Sequence, residues 1–226
     1  MHTDRTATMT LETLGLLYEI CYWMECVGAG LMCVLSIRNA LKHRGLWPYL
    51  TGAFFCIFLA DVFYLAVWRL VDFPYVLSAG DLSYLGGLMF LATANIQIAR
   101  LWSPRERNRP GAALLAFLMP LLVTAVYIVC IRIYPEILIN YLFYLPVLAF
   151  LGYVSLRHLI AASHARDRAA FLYQLNIVLL VLFHLTLDYF STLGYDQYAV
   201  QETIANALLV LSTLMIYPLA VRRYSA

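Results

Sequence analysis

The chain has 226 residues, of which 63% are hydrophobic and only 12% are charged. Ordinary soluble domains are about half apolar and about a quarter charged, and a water-soluble fold of this size could not bury so much apolar surface. The composition therefore excludes a soluble globular protein and indicates a protein embedded in lipid. The formal net charge of +2 is too small to suggest a nucleic-acid partner.

The predicted elements begin after ten polar residues that carry charges of both signs. Because no basic segment precedes a short apolar stretch there, we expect no cleavable signal peptide. A helix that crosses the hydrocarbon core needs about 20 mostly apolar residues. Seven runs meet this requirement: Leu11–Ile37, Trp47–Leu70, Ser78–Leu101, Gly111–Tyr134, Ile137–Ile160, Ala169–Phe190 and Val200–Val221.

These seven runs are predicted to be α-helices, because backbone polar groups cannot be left unpaired in lipid. The connections between them are short and leave no room for a soluble domain. We therefore predict an all-α fold with a single domain, residues 1–226. It is a polytopic integral membrane protein built as a seven-transmembrane-helix bundle.

Basic residues are distributed unequally between the two sides of this bundle. One side holds only Arg5, Arg69 and Arg132. The other side holds twelve, at Arg38, Lys42, Arg44, Arg100, Arg105, Arg107, Arg109, Arg157, Arg166, Arg168, Arg222 and Arg223. Since cytoplasmic loops carry the excess of Lys and Arg, the second side is predicted to be cytoplasmic. An odd number of helices then places the N-terminus outside and the C-terminus in the cytoplasm. The expected location is a cell membrane, the bacterial inner membrane in particular.

Small residues and prolines within the runs indicate how the helices pack. Small residues at i,i+4 spacing, Cys26 with Gly30 and Ser83 with Gly87, predict close approach of neighbouring helices. Each proline lacks a backbone N–H and is expected to kink its helix, either to shape a pocket or for packing alone. The prolines within the runs are Pro120, Pro146 and Pro218.

Ionisable side chains inside a span cost at least about 2.5–3.5 kcal/mol each near its centre, so they mark interior-facing or functional positions. A rise of about 1.5 Å per residue places most of them in the outer half of the bundle. Glu19 and Glu25 of the first run are candidates for ion coupling. Four pairs share a helix face at i,i+3 or i,i+4 spacing: Asp61 with Tyr64, Asp81 with Tyr84, His184 with Asp188, and Glu202 with Asn206.

If these four faces converge, they form an acidic, tyrosine-lined, ligand-binding pocket that opens to the outside. Two other interpretations remain open: the carboxylates belong to a structural hydrogen-bond network, or Asp81, Asp188 and Glu202 lie in the outer headgroup region. A second polar group in the inner half is neutral and predicts hydrogen bonds between helices. Its members are Asn95, Gln97, Gln174 and Asn176.

Cofactor chemistry is restricted by which residues the spans contain. Covalent attachment of retinal needs a lysine amine in the last helix. The single lysine of the chain is Lys42, in a predicted cytoplasmic loop. We therefore expect no retinal cofactor. A metal site needs about three ligands, and His184 and Asp188 with Asp61 or Asp81 would form an oxygen-rich set that suits zinc poorly. Whether a metal binds is left open. No HExxH, GxSxG or P-loop motif is present, which makes an enzyme the less expected class.

The most distinctive segment is Leu59–Leu101, about a fifth of the chain. It begins with an acidic residue before an aromatic run, at Asp61, Phe63 and Tyr64. The next helix then starts with Ser-x-x-Asp-x-x-Tyr-x-Gly, at Ser78, Asp81, Tyr84 and Gly86. This segment resembles the region of helices 2 and 3 in seven-helix membrane sensory modules fused to bacterial diguanylate cyclase (GGDEF) signalling proteins. The chain departs from them because no output domain follows Val221. The resemblance implies a free-standing sensor, or a transporter-like relative, whose output lies in a partner.

Three hypotheses of function follow. The leading one is a receptor-like membrane sensor whose acidic pocket binds a small cationic or polar ligand and which signals through a cytoplasmic or membrane partner. The alternative is a proton- or cation-coupled small-molecule transporter. The third is an intramembrane metal-dependent hydrolase. The expected partners are the lipid bilayer, a small-molecule or ion ligand and a signalling protein.

Overall fold

The computed structural model describes residues 2–43, 45–70, 77–99 and 110–224. Within these ranges the chain is helical and contains no strand, which confirms the all-α prediction. The helices are α1 (His2–Lys42), α2 (Trp47–Leu70), α3 (Ala79–Ala99), α4 in two segments (Pro110–Ala116 and Leu118–Ile133), α5 (Leu138–Ala165), α6 (Arg168–Leu193) and α7 (Tyr195–Tyr224). Several predicted loop residues and the end of the third predicted span lie outside the described residues: Arg44, Arg100, Leu101, Arg105, Arg107 and Arg109.

Six of the described helices are long and apolar enough to cross a membrane. They are Thr13–Lys42, Trp47–Val67, Gly111–Ile133, Pro135–Ala165, Arg168–Leu193 and Gln197–Tyr224. The chain is therefore a multi-pass membrane protein. The remaining helix, α3, carries Asp81, Asn95 and Gln97 and is not one of the six found among the described residues.

The helices pack as a closed ring. Going round it, α1 contacts α2, α2 contacts α3, α3 contacts α5, α5 contacts α6, α6 contacts α7, and α7 returns to α1. Helix α4 lies outside this ring, against α5 and α6. Helix α3 therefore forms one wall of the ring, between α2 and α5.

Glycine allows α2 and α3 to approach closely. A Cβ atom added to Gly87 would lie 2.9 Å from Cγ1 of Ile57 and 3.2 Å from the carbonyl oxygen of Ala53. Gly30 in α1 is similarly close to Phe58, at 3.2 Å from the ring. The predicted close approach at Gly30 and Gly87 is confirmed, and small residues serve this purpose in many membrane helices.

One of the three prolines lies next to a break in its helix. Helix α4 is interrupted at Phe117, because Pro120 has no N–H with which to bond the carbonyl of Ala116. Pro146 and Pro218 lie inside helices α5 and α7, which continue through them. A proline therefore coincides with an interruption of the regular α-helix only in α4, which lies outside the ring.

Candidate ligand-binding site

Every helix of the ring contributes a polar or aromatic side chain to one region of the interior. All of these side chains are buried, with at most 8% of their surface exposed. We call them the central polar cluster: Glu25 from α1, Asp61 from α2, Tyr84 from α3, Tyr144 from α5, His184 from α6, and Glu202 and Asn206 from α7.

Contacts across the ring show that these side chains share one region. The Tyr84 hydroxyl is within electrostatic range of Glu25 and Asp61 on one side and of Asp188 on the other. Tyr22 of α1 is within electrostatic range of Glu25, Asp61 and also of a carboxylate of α7. That third carboxylate, Glu202, bonds the side chains of Tyr18 and Ser191. The structure therefore brings acidic groups of α1, α2, α6 and α7 around two tyrosines.

Three carboxylates of the cluster have an oxygen without a hydrogen-bond partner among the described residues: Oε1 of Glu25, Oδ2 of Asp61 and Oε2 of Glu202. The side-chain nitrogen of Asn206 is also buried without a partner. Within the described part of the chain, no Lys or Arg forms an ion pair with any of the three. Burying one unsatisfied polar group costs about 1–3 kcal/mol, and a charge costs more. Polar groups kept in this state are typical of a site that awaits a partner.

His184 is stacked between two tyrosine rings. Its ring centroid lies 5.5 Å from that of Tyr84 and 5.3 Å from that of Tyr144, with interplanar angles of 14° and 25°. Its Nε2 is 3.5 Å from Oδ2 of Asp188, which also accepts a hydrogen bond of 2.7 Å from the hydroxyl of Tyr127. The predicted pairing of His184 with Asp188 is confirmed, and the imidazole lies face to face with two tyrosine rings.

Asp81 is engaged in a structural network at the start of α3. Its Oδ2 accepts hydrogen bonds from the amide and hydroxyl of Ser78 at 2.8 and 2.6 Å, and the Ser78 oxygen accepts from the Asp81 amide at 3.2 Å. These reciprocal bonds form a capping box, which satisfies free backbone donors at a helix start. Its Oδ1 accepts a 2.6 Å bond from the Tyr64 hydroxyl. Asp81 and Tyr64 therefore lie beside the central polar cluster with their polar atoms already paired to each other and to Ser78.

Glu19 and Glu25 lie on different faces of α1. Glu19 accepts a hydrogen bond of 3.4 Å from the indole of Trp23, and the Trp23 side chain is 46% exposed. Glu25 faces the ring interior. Of the two candidates for ion coupling, only Glu25 belongs to the central polar cluster.

The sequence interpretation did not include Tyr22, Tyr144 and Thr213 among the site residues. The sequence could have indicated both tyrosines. Tyr22 lies at i,i+3 spacing from Glu25, and Tyr144 lies at the same spacing from Tyr141. Each tyrosine therefore shares a helix face with another polar residue. Thr213, whose hydroxyl bonds the Glu25 side chain, gave no signal, since threonine is common in membrane helices.

The neutral polar group in the inner half forms hydrogen bonds between helices, as predicted. Asn95 of α3 donates to the hydroxyl of Ser155 at 2.9 Å and accepts from Gln174 at 3.1 Å, and all three side chains are fully buried. Asn176 donates to the main-chain oxygen of Ser212 at 2.8 Å. These bonds tie α3 to α5 and α6, and α6 to α7.

The predicted metal ligands are only partly adjacent. His184 and Asp188 are in contact, whereas the carboxylate of Asp81 is bonded to Ser78 and Tyr64. Among the side chains that the structure describes, no three His, Cys, Asp or Glu residues are grouped so that they could hold a metal ion.

Comparison of the chain with protein-family models, with curated proteins and with solved structures found no match. The chemistry of the central polar cluster is therefore inferred from its geometry.

Proposed function

We propose that this protein is a receptor-like membrane sensor that binds a small organic cation at the central polar cluster. The observation that carries the proposal is the set of buried carboxylate oxygens without partners, on Glu25, Asp61 and Glu202. A cation placed among them would supply the missing hydrogen-bond donors and neutralise the charge. The rings of Tyr22 and Tyr84 border the same region and would offer cation–π contacts.

The proposal includes a topology of seven spans, with the N-terminus outside. Helix α3 is packed between α2 and α5 along the ring, which supports its crossing the bilayer together with them. The twelve basic residues on one side, against three on the other, support a cytoplasmic location for that side. With this orientation the central polar cluster lies in the outer half of the membrane, within reach of external ligands, and the membrane is the bacterial inner membrane.

A ligand bound at this cluster would contact several helices of the ring at once. Glu25, Asp61 and Glu202 belong to α1, α2 and α7, so a cation that bonds all three would favour one relative position of these helices. A ligand shifts a conformational equilibrium only by its differential affinity for the two states. The resemblance of Leu59–Leu101 to sensory modules of GGDEF proteins supports an output through a cytoplasmic or membrane partner.

Ligand binding can be tested by thermal unfolding of the purified protein with a panel of primary, tertiary and quaternary amines and their neutral alcohol analogues. A ligand at about 100 times its Kd stabilises the folded state by about 2.7 kcal/mol. We expect at least one amine, and no alcohol, to raise the unfolding midpoint. The increase should be lost in Asp61→Asn and Glu202→Gln.

Glu136→Gln is the matched control, because Glu136 carries the same charge but is exposed between α4 and α5. The amine-dependent increase should persist in this variant. An amine effect of equal size in wild type and in both cluster variants would contradict the proposal, as would the absence of any amine effect.

A transporter is the second candidate, favoured by the polar face of α7. Glu202, Asn206 and Thr213 are all buried along this face, and Thr213 reaches Glu25 in the middle of α1. A carrier needs such an inward continuation of polar groups. Uptake of the same amine into proteoliposomes under an imposed ion gradient would favour the transporter, and binding without flux would favour the sensor.

A further inference from the structure

Glu25 of α1 and Asp61 of α2 are the most deeply buried carboxyl groups in the described part of the chain, with 3% and 1% of their surface exposed. The two are within electrostatic range of each other. Each has one oxygen without a hydrogen-bond partner among the described residues. They lie on neighbouring helices that pack closely along their length.

Two interacting carboxylates that are both buried in a low-dielectric interior are not both ionised without a compensating cation. The titratable side chains that face the pair from α1, α3 and α7 are neutral or acidic. They are Tyr22, Cys21, Cys26, Tyr84 and Glu202. In the absence of a ligand, a proton is therefore the positive charge that can neutralise one of the two carboxylates.

We propose that Glu25 and Asp61 form a proton-binding pair that holds one proton in the free protein and releases it when a cation binds. Release of the proton on cation binding rests on the proposed function. Binding of the proton in the free protein does not. Asparagine and glutamine at these positions would remove the proton site but keep the size of the side chains.

Dicyclohexylcarbodiimide tests the protonated state directly. A protonated carboxyl group adds across a C=N bond of the reagent, its proton passing to nitrogen, and the adduct rearranges to a stable acylurea without loss of any group. Peptide mass spectrometry of the reconstituted protein should therefore show the mass of one added reagent molecule on Glu25 or Asp61. Asp81 and Glu136 should remain unlabelled.

The labelling should depend on pH and on both members of the pair. As the pH is raised, it should fall by about tenfold per pH unit once the pair has lost its proton. In Glu25→Gln the label on Asp61 should be lost at lower pH than in wild type, because removing a neighbouring negative charge favours ionisation of Asp61.

Infrared spectroscopy gives a second measurement that does not depend on access of the reagent. Wild-type protein at neutral pH should show the carbonyl stretch of a protonated carboxylic acid, and the double variant Glu25→Gln with Asp61→Asn should weaken it. Absence of this band in wild type, or a band unchanged in the double variant, would overturn the proton-binding pair. Amine binding without the band would refute the pair alone, and the band without amine binding would refute the ligand proposal alone.

Discussion

Asp61 and Asp81 lie on adjacent helices, but their carboxylates differ in burial and in hydrogen bonding. Both oxygens of Asp81 accept hydrogen bonds, from Ser78 and from Tyr64. Asp61 is more deeply buried, and its Oδ2 has no partner among the described residues. A bonded carboxylate stabilises the fold, whereas an unpaired buried one lowers stability in return for a function.

We therefore expect Asp81→Ala and Asp61→Asn to differ in their effect on stability. Asp81→Ala removes the capping box of α3 and leaves the Tyr64 hydroxyl without its acceptor, which should cost about 1–2 kcal/mol. Asp61→Asn removes one of two adjacent buried carboxyl groups that share a single negative charge, and the fold does not pair its Oδ2, so the unfolding midpoint should equal or exceed that of wild type. Thermal unfolding in detergent measures both. An equal loss in the two variants would show that Asp61 is a structural residue.

The site could be predicted in part at the level of single residues. Asp61, His184 and Glu202 were identified because charges inside a span are costly and therefore rare. Tyr144 and Thr213 were not identified, since tyrosine and threonine occur throughout membrane helices and cost little there. Their contribution depends on which helix lies opposite, and a single sequence does not specify that.

At the scale of elements, the packing of α2 against α3 depends on two adjacent glycines with different neighbours. A Cβ atom on Gly87 would meet the backbone carbonyl of Ala53 at 3.2 Å and Ile57 at 2.9 Å. A Cβ atom on Gly86 would lie 3.4 Å from Sγ of Cys56, an ordinary contact. The two positions therefore form a matched pair for substitution.

We expect Gly87→Ala to destabilise the protein by about 1–3 kcal/mol, because the α2 backbone must move away to accommodate the methyl group. Gly86→Ala should be neutral or slightly stabilising, since alanine favours a helix more than glycine does. The midpoint of thermal unfolding in detergent distinguishes the two. If Gly86→Ala proved the more harmful substitution, the register of α2 against α3 would have to be different.

The positions of the helices could be predicted from the sequence, but their arrangement could not. The start of α3 at Ala79 agrees with the run predicted from Ser78, and every predicted run lies largely within a helix. Helix α1 begins at His2, nine residues before the predicted Leu11, because the polar residues there continue the helix. Membrane helices are apolar on every side, so the apolar pattern does not show which face points inward. Only rare polar residues such as Asp61 and Asn95 mark that face. The ring order, and the position of α4 outside it, therefore had to come from the structure.

At the scale of the whole molecule, α3 decides how many times the chain crosses the membrane. It carries Asp81, Asn95 and Gln97 and is not among the six described helices that are long and apolar enough to cross a membrane. Inside the ring, however, Asn95 is bonded to Ser155 of α5 and to Gln174 of α6. Polar groups satisfied by neighbouring helices add little cost in lipid. A helix packed in this way can span the bilayer without being strongly apolar itself.

The locations of the two termini test this conclusion, because seven spans place them on opposite sides and six spans place them on the same side. We expect a C-terminal fusion to green fluorescent protein to fluoresce in the cytoplasm, and an N-terminal epitope to be accessible to protease outside the membrane. A fusion of alkaline phosphatase after Gly194, at the outer end of α6, is the control and should be active outside. Two termini on one side would show that α3 does not cross, and the central polar cluster would then lack Tyr84 as one of its walls within the membrane.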